Sequence, residues 1–215
     1  MIDSQGWYRL ARKVPSPHCD VRHDSEDISL LVVHNISLPP GQFGGPYIEQ
    51  FFLGELDANQ HSFFKVIAKM RVSAHCVIRR DGEVVQFVPF HLRAWHAGVS
   101  SFAGRAKCND YSIGIELEGS DFVPYTDAQY QALTELTQAL MVRYPHITLP
   151  RITGHQYIAP LRKTDPGLVF DWRRFSGWVE VIGFSWCEIP SLPPPRRGRG
   201  KGGAWFEFPP LLGEG

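Results

Sequence analysis

Cysteine is scarce in this chain. Cys19, Cys76, Cys108 and Cys187 are widely scattered, with no C-x-x-C pair and no dense framework of the kind that staples small secreted domains. Reduced thiols are the expectation, although the even count leaves two disulfides open. Net charge is lacking as well: 22 Lys and Arg balance 22 Asp and Glu, which removes the global field that would draw the chain to nucleic acid or to an anionic membrane. Local patches must carry any recognition. No apolar run reaches the roughly 18 residues that a transmembrane helix needs, and the first thirty residues hold no continuous apolar stretch of signal-peptide length. A cytoplasmic protein without a membrane span is therefore expected. The nucleophile-elbow pattern G-x-S-x-G is also missing, which sets a serine-hydrolase scheme aside as first choice. No internal repeat is visible.

What is present describes one catalytic-size domain and a tail. The 215 residues are 43% apolar and 20% charged, close to the averages for soluble globular proteins, and suffice for one sizeable core. Residues 28–36 (ISLLVVHNI) form a short β-branched and leucine run before a turn-rich stretch, which reads as a buried strand with His34 near its C-terminal end. Pro46 suits a first helical turn, and Ile48, Phe51, Phe52 and Leu56 then recur at helical spacing. Asp81-Gly82, between residues 72–80 and 83–88, predicts a two-residue turn in a β-hairpin. Residues 111–119 (YSIGIELEG) alternate, with Ile113, Ile115 and Leu117 on one face and Ser112, Gly114, Glu116 and Glu118 on the other. Thr126 with Gln129 resembles a capping box, opening a helix whose stripe of Tyr130, Leu133, Leu136 and Leu140 runs until Pro145. Residues 147–152 are expected to be extended and to lead into Gly154-His155. Strands interspersed with helices predict an α/β (mixed α+β) single domain, a central mixed β-sheet flanked by helices. From residue 185 onward proline and glycine supply 12 of 31 residues around the basic run RRGRGKGG. A domain over 1–184 and a disordered tail over 185–215 follow.

Composition does not select a reactive centre from nine histidines. A lone histidine at a strand end is more often a hydrogen-bonded structural residue than a ligand. The selection comes from a resemblance. The segments VPSPHCD, SLLVVHNISLPPGQFGGPYI, RVSAHCVIRRDGEVVQFVPF, RAWHAGVSSFAGRAKCND, YSIGIELEGSDFVPYTDAQY, TGHQYIAP and RKTDPGLVFDW run in order over about residues 5–175. Together they resemble the AmpD family of 1,6-anhydro-N-acetylmuramyl-L-alanine amidases, within the wider zinc amidase and peptidoglycan-recognition superfamily.

The resemblance implies that His34 of VVHNIS, His155 of TGHQYIAP and Asp165 of RKTDPG hold a Zn2+ ion. Two imidazoles and a carboxylate suit catalytic zinc, where three protein ligands leave a fourth position for water and the metal lowers that water's pKa to about 7. Another divalent metal stays open, because ligand types overlap. The resemblance also implies that Glu116 carries the proton from water to the leaving amine and that Lys163 steadies the developing oxyanion. Lys163 lies two residues before Asp165, so in an extended segment both side chains project to one side. By pattern alone, Glu116 equals Glu118 as a solvated strand glutamate, and Lys163 is a surface lysine beside Arg162.

Asn35, Arg71, Trp95, His96 and Lys107 are the implied substrate contacts. Relatives often carry arginine where this chain has Lys107, and lysine offers a point charge in place of a planar fork. Phe63 stands where some relatives have tyrosine, and His75 is expected to be a core histidine or a support for a ligand. The implied activity is hydrolysis of the amide between (anhydro-)N-acetylmuramic acid and L-alanine in muropeptides, in cytosolic peptidoglycan recycling, with consequences for β-lactamase induction. A small muropeptide is the implied partner of a monomer, with no nucleic acid and no membrane involved. Two other readings remain: a muropeptide-binding module without catalysis, and a zinc peptidase or deacetylase acting on the same fragments.

Overall fold

A computed structural model describes residues 1–183; the tail expected over 185–215 lies outside the described residues. In chain order the strands are β1 (Arg12–Lys13), β2 (Cys19–Val21), β3 (Leu30–Ile36), β4 (Cys76–Ile78), β5 (Val84–Gln86), β6 (Leu92–Ala94), β7 (Ser101–Phe102), β8 (Arg105–Ala106), β9 (Ser112–Glu118) and β10 (Ile152–Gly154). The helices are α1 (Tyr47–Leu53), α2 (Phe64–Ile67), α3 (Asp127–Arg143), α4 (His155–Ile158) and α5 (Trp172–Gly183). Six strands form one sheet in the order β1-β5-β4-β9-β3-β10. The β4–β5 pair is antiparallel and its other neighbours pair in parallel, so the sheet is mixed, as the alternation of strands and helices predicts.

The apolar run of β3 and the alternation of β9 fix the centre of this sheet. Ile113, Ile115 and Leu117 share one core with Leu31 and Val33 of β3 and with Leu133, Leu136 and Leu140 of α3 and Phe175 and Val179 of α5. The opposite face is also covered: Val77 and Val85 of the hairpin pack with Ile48, Phe51 and Phe52 of α1 and Phe64 and Ile67 of α2, while Leu30 and Val32 pack with Ala97, Cys108, Tyr111 and Ile158. All seven residues of β9 are consequently buried, including the polar ones. A strand covered on both faces in this way has no solvated side.

Local signals decide most boundaries. Thr126 accepts the Gln129 backbone N–H at 3.1 Å while the Gln129 side chain accepts the Thr126 N–H at 3.1 Å, a complete capping box at the start of α3. Two segments differ from expectation. The hairpin connection is three residues, not two: Arg79 N–H donates to Glu83 O, and Gly82 closes the turn at φ +90°, the three-residue loop that places a glycine in the left-handed region. Residues 147–152 are not a continuous extended segment, because Leu149–Arg151 form a 3-10 turn with Pro150 in its first positions before β10 begins. Proline fixes φ for such a turn and supplies no donor for a sheet ladder.

Cys19, Cys76 and Cys108 are free thiols among the described residues, and no helix of these residues is long and apolar enough to cross a membrane. Replacing Thr126 by alanine removes the α3 cap and a second bond, from Thr126 Oγ1 to Arg80 O at 2.7 Å. Loss of such a cap costs about 1–2 kcal/mol. Thermal unfolding of Thr126→Ala is therefore expected several degrees below wild type.

Candidate active site

β3, β9 and β10 run in parallel, so their C-terminal ends emerge at one edge of the sheet, and the reactive side chains gather there. His34 and Glu116 are Cα partners in the β3–β9 pairing and point to the same face. Gly154 ends β10 beside Val33, and His155 opens α4 directly after it. The loop after α4 returns Asp165 to the same point, where Gln156 N–H donates to Asp165 O at 2.9 Å. His34 Nδ1, His155 Nδ1 and Asp165 Oδ2 then form a triangle with every edge 3.0 Å.

The hydrogen-bond inventory shows a triangle that could hold a cation. A neutral imidazole has one N–H. His155 Nε2 lies 3.1 Å from Ala97 O, which can only accept, so Nε2 carries the proton and Nδ1 turns a bare lone pair to the triangle. His34 Nε2 lies 2.9 Å from His96 Nδ1, and His96 Nε2 lies 3.1 Å from Ser112 Oγ, a relay that can take up a proton held on His34 Nε2. With its proton on Nε2, His34 turns Nδ1 to the triangle as a second lone pair. Burial holds His34 neutral, down to about 4 against the pull of Asp165. Burial opposes charge on Asp165, and the hydrogen bonds and positive charge shared with His155 and His34 are what hold its carboxyl well below the usual range. Two neutral nitrogens and an anionic oxygen thus converge. An ion held tetrahedrally at about 2.0–2.2 Å needs donors about 3.3–3.6 Å apart, a few tenths of an ångström beyond the edges found here. The residues fit a zinc-like ion.

Glu116 and Glu118, equivalent in the sequence pattern, have different fates. Glu118 accepts from Gly44 N at 2.7 Å, Arg79 Nη1 at 3.1 Å and Arg80 N at 3.3 Å, and serves the fold. Glu116 is buried with Oε2 lacking any partner. Burial, reinforced by Asp165, pushes its carboxyl well above the usual value, and only Lys163 opposes the shift. A carboxyl whose proton affinity is raised in this way beside a metal-type cluster is suited to accept a proton and to return it.

The triangle opens into a cleft of about 580 Å3 bounded by Asn35, Pro40, Asp121, Phe122, Lys163 and Asp165. Lys163 and Asp165 do face one cleft, though on an irregular loop and not a strand. His96 lies behind His34 as its hydrogen-bond partner. Trp95 is half-buried with its ring stacked on His18 at 6.1 Å, and Arg71 and Lys107 are exposed on loops outside this cleft's lining. His75 is buried, its Nδ1 accepting Gly114 N–H at 3.0 Å. The sequence reading passed over Asp121, Ser112, Ala97 and Arg22, since their parts are played through backbone atoms or through another side chain. A second cleft, about 570 Å3, lies at the opposite end of β3, but Arg105 there pairs with Asp27 and Arg151 with Ser29, leaving no convergent donor set.

Fold and site together define a protein of the amidase-like mixed α/β class. The model of the family described as N-acetylmuramoyl-L-alanine amidase matches residues 24–168. The 1,6-anhydro-N-acetylmuramyl-L-alanine amidase AmpD of Citrobacter freundii is 63% identical over 179 residues, 83% of this chain and 95% of that protein. A crystal structure of a selenomethionine AmpD derivative superposes with a TM-score of 0.81 at 63% identity, covering 83% of this chain and 99% of that one. The Escherichia coli amidase AmiD, solved in complex with the substrate anhydro-N-acetylmuramic acid-L-Ala-D-gamma-Glu-L-Lys, matches at a TM-score of 0.52 and 28% identity over 82% of this chain and 65% of that one. The chain belongs to the N-acetylmuramoyl-L-alanine amidase family, in its AmpD-type branch, and is an amide-bond hydrolase of that family.

A β-carbon added at Gly114 would sit 2.4 Å from the His96 ring. Gly114→Ala is therefore expected to drive His96 off His34 and Ser112. Overpacking of this kind costs about 1–3 kcal/mol, readable as a lowered melting temperature together with a shifted His34 ring resonance by NMR.

Proposed function

We propose that the chain hydrolyses the amide between anhydro-N-acetylmuramic acid and L-alanine in muropeptides, with His34, His155 and Asp165 holding a zinc ion. The carrying observation is the 3.0 Å triangle of lone-pair donors next to a buried carboxyl with a free oxygen. When bound, zinc supplies the Lewis acidity that makes solvent nucleophilic near neutral pH. Ala97 O fixes the tautomer of His155, and the His96–Ser112 pair fixes that of His34, so both rings keep their lone pairs aimed at the cation.

Glu116 takes a proton from the attacking water and returns it to the nitrogen of L-alanine as the amide breaks, so that the stem peptide leaves as an amine and the sugar acid as a carboxylate. Lys163 faces the cleft without an ion pair among the described residues and sets its ammonium where the lactyl oxygen gains charge. A donor at that point is worth about 3–4 kcal/mol. Asn35, also on the cleft wall, holds the substrate. His96 acts through His34, whereas Arg71, Trp95 and Lys107 would reach only parts of a stem peptide that extend beyond this cleft. The anhydro sugar is favoured because AmpD relatives are named for it and the AmiD complex contains it. A cytosolic recycling role, with its link to β-lactamase induction, follows from the same kinship.

Metal analysis with a product assay tests this reading. Purified protein is expected to hold about one zinc per chain, and Asp165→Ala to lose metal and turnover together. Mass analysis should find the intact stem peptide and the free sugar acid. Continued cleavage by thoroughly demetallated protein would exclude the scheme, and a product cut elsewhere would indicate a peptidase or deacetylase.

Glu116→Gln separates catalysis from stability. Turnover should fall about 10²–10⁴-fold with metal retained. The folded carboxyl ionises above its ordinary value of 4.5, so folding favours the protonated form. That contribution is complete below the ordinary value and is lost as pH rises through the raised one. Metal-free Glu116→Gln is thus expected to unfold at a higher temperature than metal-free wild type at pH 8, with the difference shrinking toward pH 4; scanning calorimetry across that range reads the effect.

A further inference from the structure

On the cleft that Lys163 also lines, Asn35 Nδ2 donates to Asp121 Oδ1 at 2.8 Å. A carboxylate only accepts, so the atom of Asn35 that faces Asp121 must be the amide nitrogen. The Tyr125 hydroxyl, which donates to Pro166 O at 2.8 Å, lies beside the same amide. The turn carrying Asp121 is itself held in place: Gly167, at φ +81°, lies so close that a β-carbon there would come within 2.5 Å of Asp121 Cα. Gly167 is two residues from Asp165. The Asp121 backbone therefore packs against the segment that supplies the carboxylate of the triangle, and its side chain holds the residue next to His34.

We propose that Asp121 is a positioning residue for substrate recognition: it pins the Asn35 amide so that Asn35 presents its carbonyl oxygen to the cleft, which therefore reads an N–H donor on the muropeptide beside the scissile bond. An unpinned asparagine could turn either end to the ligand, since its oxygen and nitrogen occupy nearly the same shape. With its nitrogen engaged by Asp121, only the acceptor is offered. Besides the N–H of the scissile amide itself, a muropeptide carries two such donors beside the bond to be cut, the acetamido N–H of the sugar and the peptide N–H that follows L-alanine. The inference rests on the amidase reading given under Proposed function.

The test is kinetic and reciprocal, using the zinc-loaded full chain and anhydromuramyl tripeptide. Asp121→Ala should raise KM about tenfold, the worth of one well-made hydrogen bond, with kcat changed less than about twofold, metal content unchanged and the melting temperature close to wild type. Asn35→Asp sets two carboxylates against each other and should raise KM at least as much. The exchanged pair, Asn35→Asp with Asp121→Asn, restores one donor and one acceptor at the same net charge. Its KM should return to within about threefold of wild type, as expected for coupled neighbours.

Two analogues identify the donor, one with the acetamido nitrogen replaced by oxygen and one N-methylated at the residue after L-alanine. The analogue that removes the correct N–H should lose affinity in wild type and little more in Asp121→Ala. A wild-type KM for Asp121→Ala, an exchanged pair no better than Asn35→Asp alone, or two analogues that bind wild type as well as the parent would each overturn the proposal. Absence of any cleavage by wild type would instead reject the amidase reading itself.

Discussion

His34 and Glu116 stand side by side because β3 and β9 pair in parallel with those two residues as Cα partners. A slip of one residue in that register would turn one of them to the α3 and α5 face, since side chains alternate along a strand. The slip is prevented by the apolar residues between them: Leu31 and Val33 on β3, and Ile113, Ile115 and Leu117 on β9, all need the helical core. Parallel pairing also brings the ends of β3, β9 and β10 to one edge. Asn35 lies near the end of β3, and the segments that leave that edge carry Asp121, His155 and Asp165, in keeping with the rule that open α/β sheets bind ligands beyond the carboxyl ends of their strands.

Around this edge the polar groups are satisfied unevenly, and the unevenness marks the site. Arg22 is buried and spends its guanidinium on backbone carbonyls of Asn109, Asp110 and Ser112; burial lowers it to about 10. Its bonds tie the segment before β9 to the start of that strand. Glu118 is saturated by Arg79 and two backbone N–H groups. Glu116, two residues earlier on the same face, keeps a free buried oxygen. An unsatisfied buried carboxyl is costly, and the strand that carries it is covered on both faces. Such local conflict with the rules of stable packing is expected where a fold carries chemistry.

Kinship and geometry bear on different questions. The match over residues 24–168 and the 63% identity to the Citrobacter freundii enzyme establish the family and the type of bond acted on. The hydrogen-bond network explains how a ligand set of that kind keeps its lone pairs inward, through Ala97 O behind His155 and through His96 and Ser112 behind His34. It also sets His96 against His34 as its hydrogen-bond partner, a residue that the sequence resemblance groups with the substrate contacts.

The sequence by itself determined the elements: the buried run at β3, the alternation at β9, the capping box of α3 and the breaks at Pro46 and Pro145 all follow from neighbours a few residues apart, because dihedral preference and periodicity are local. Likeness to known segments also picked out His34, His155 and Asp165. Which glutamate stays free, which way Asn35 turns and what stands behind each imidazole were decided only by tertiary structure. His34 and His155 are separated by 121 positions, and His34 and Asp165 by 131. Donor geometry between groups so far apart is set by sheet register and by backbone atoms such as Ala97 O, which leave no trace in side-chain identity.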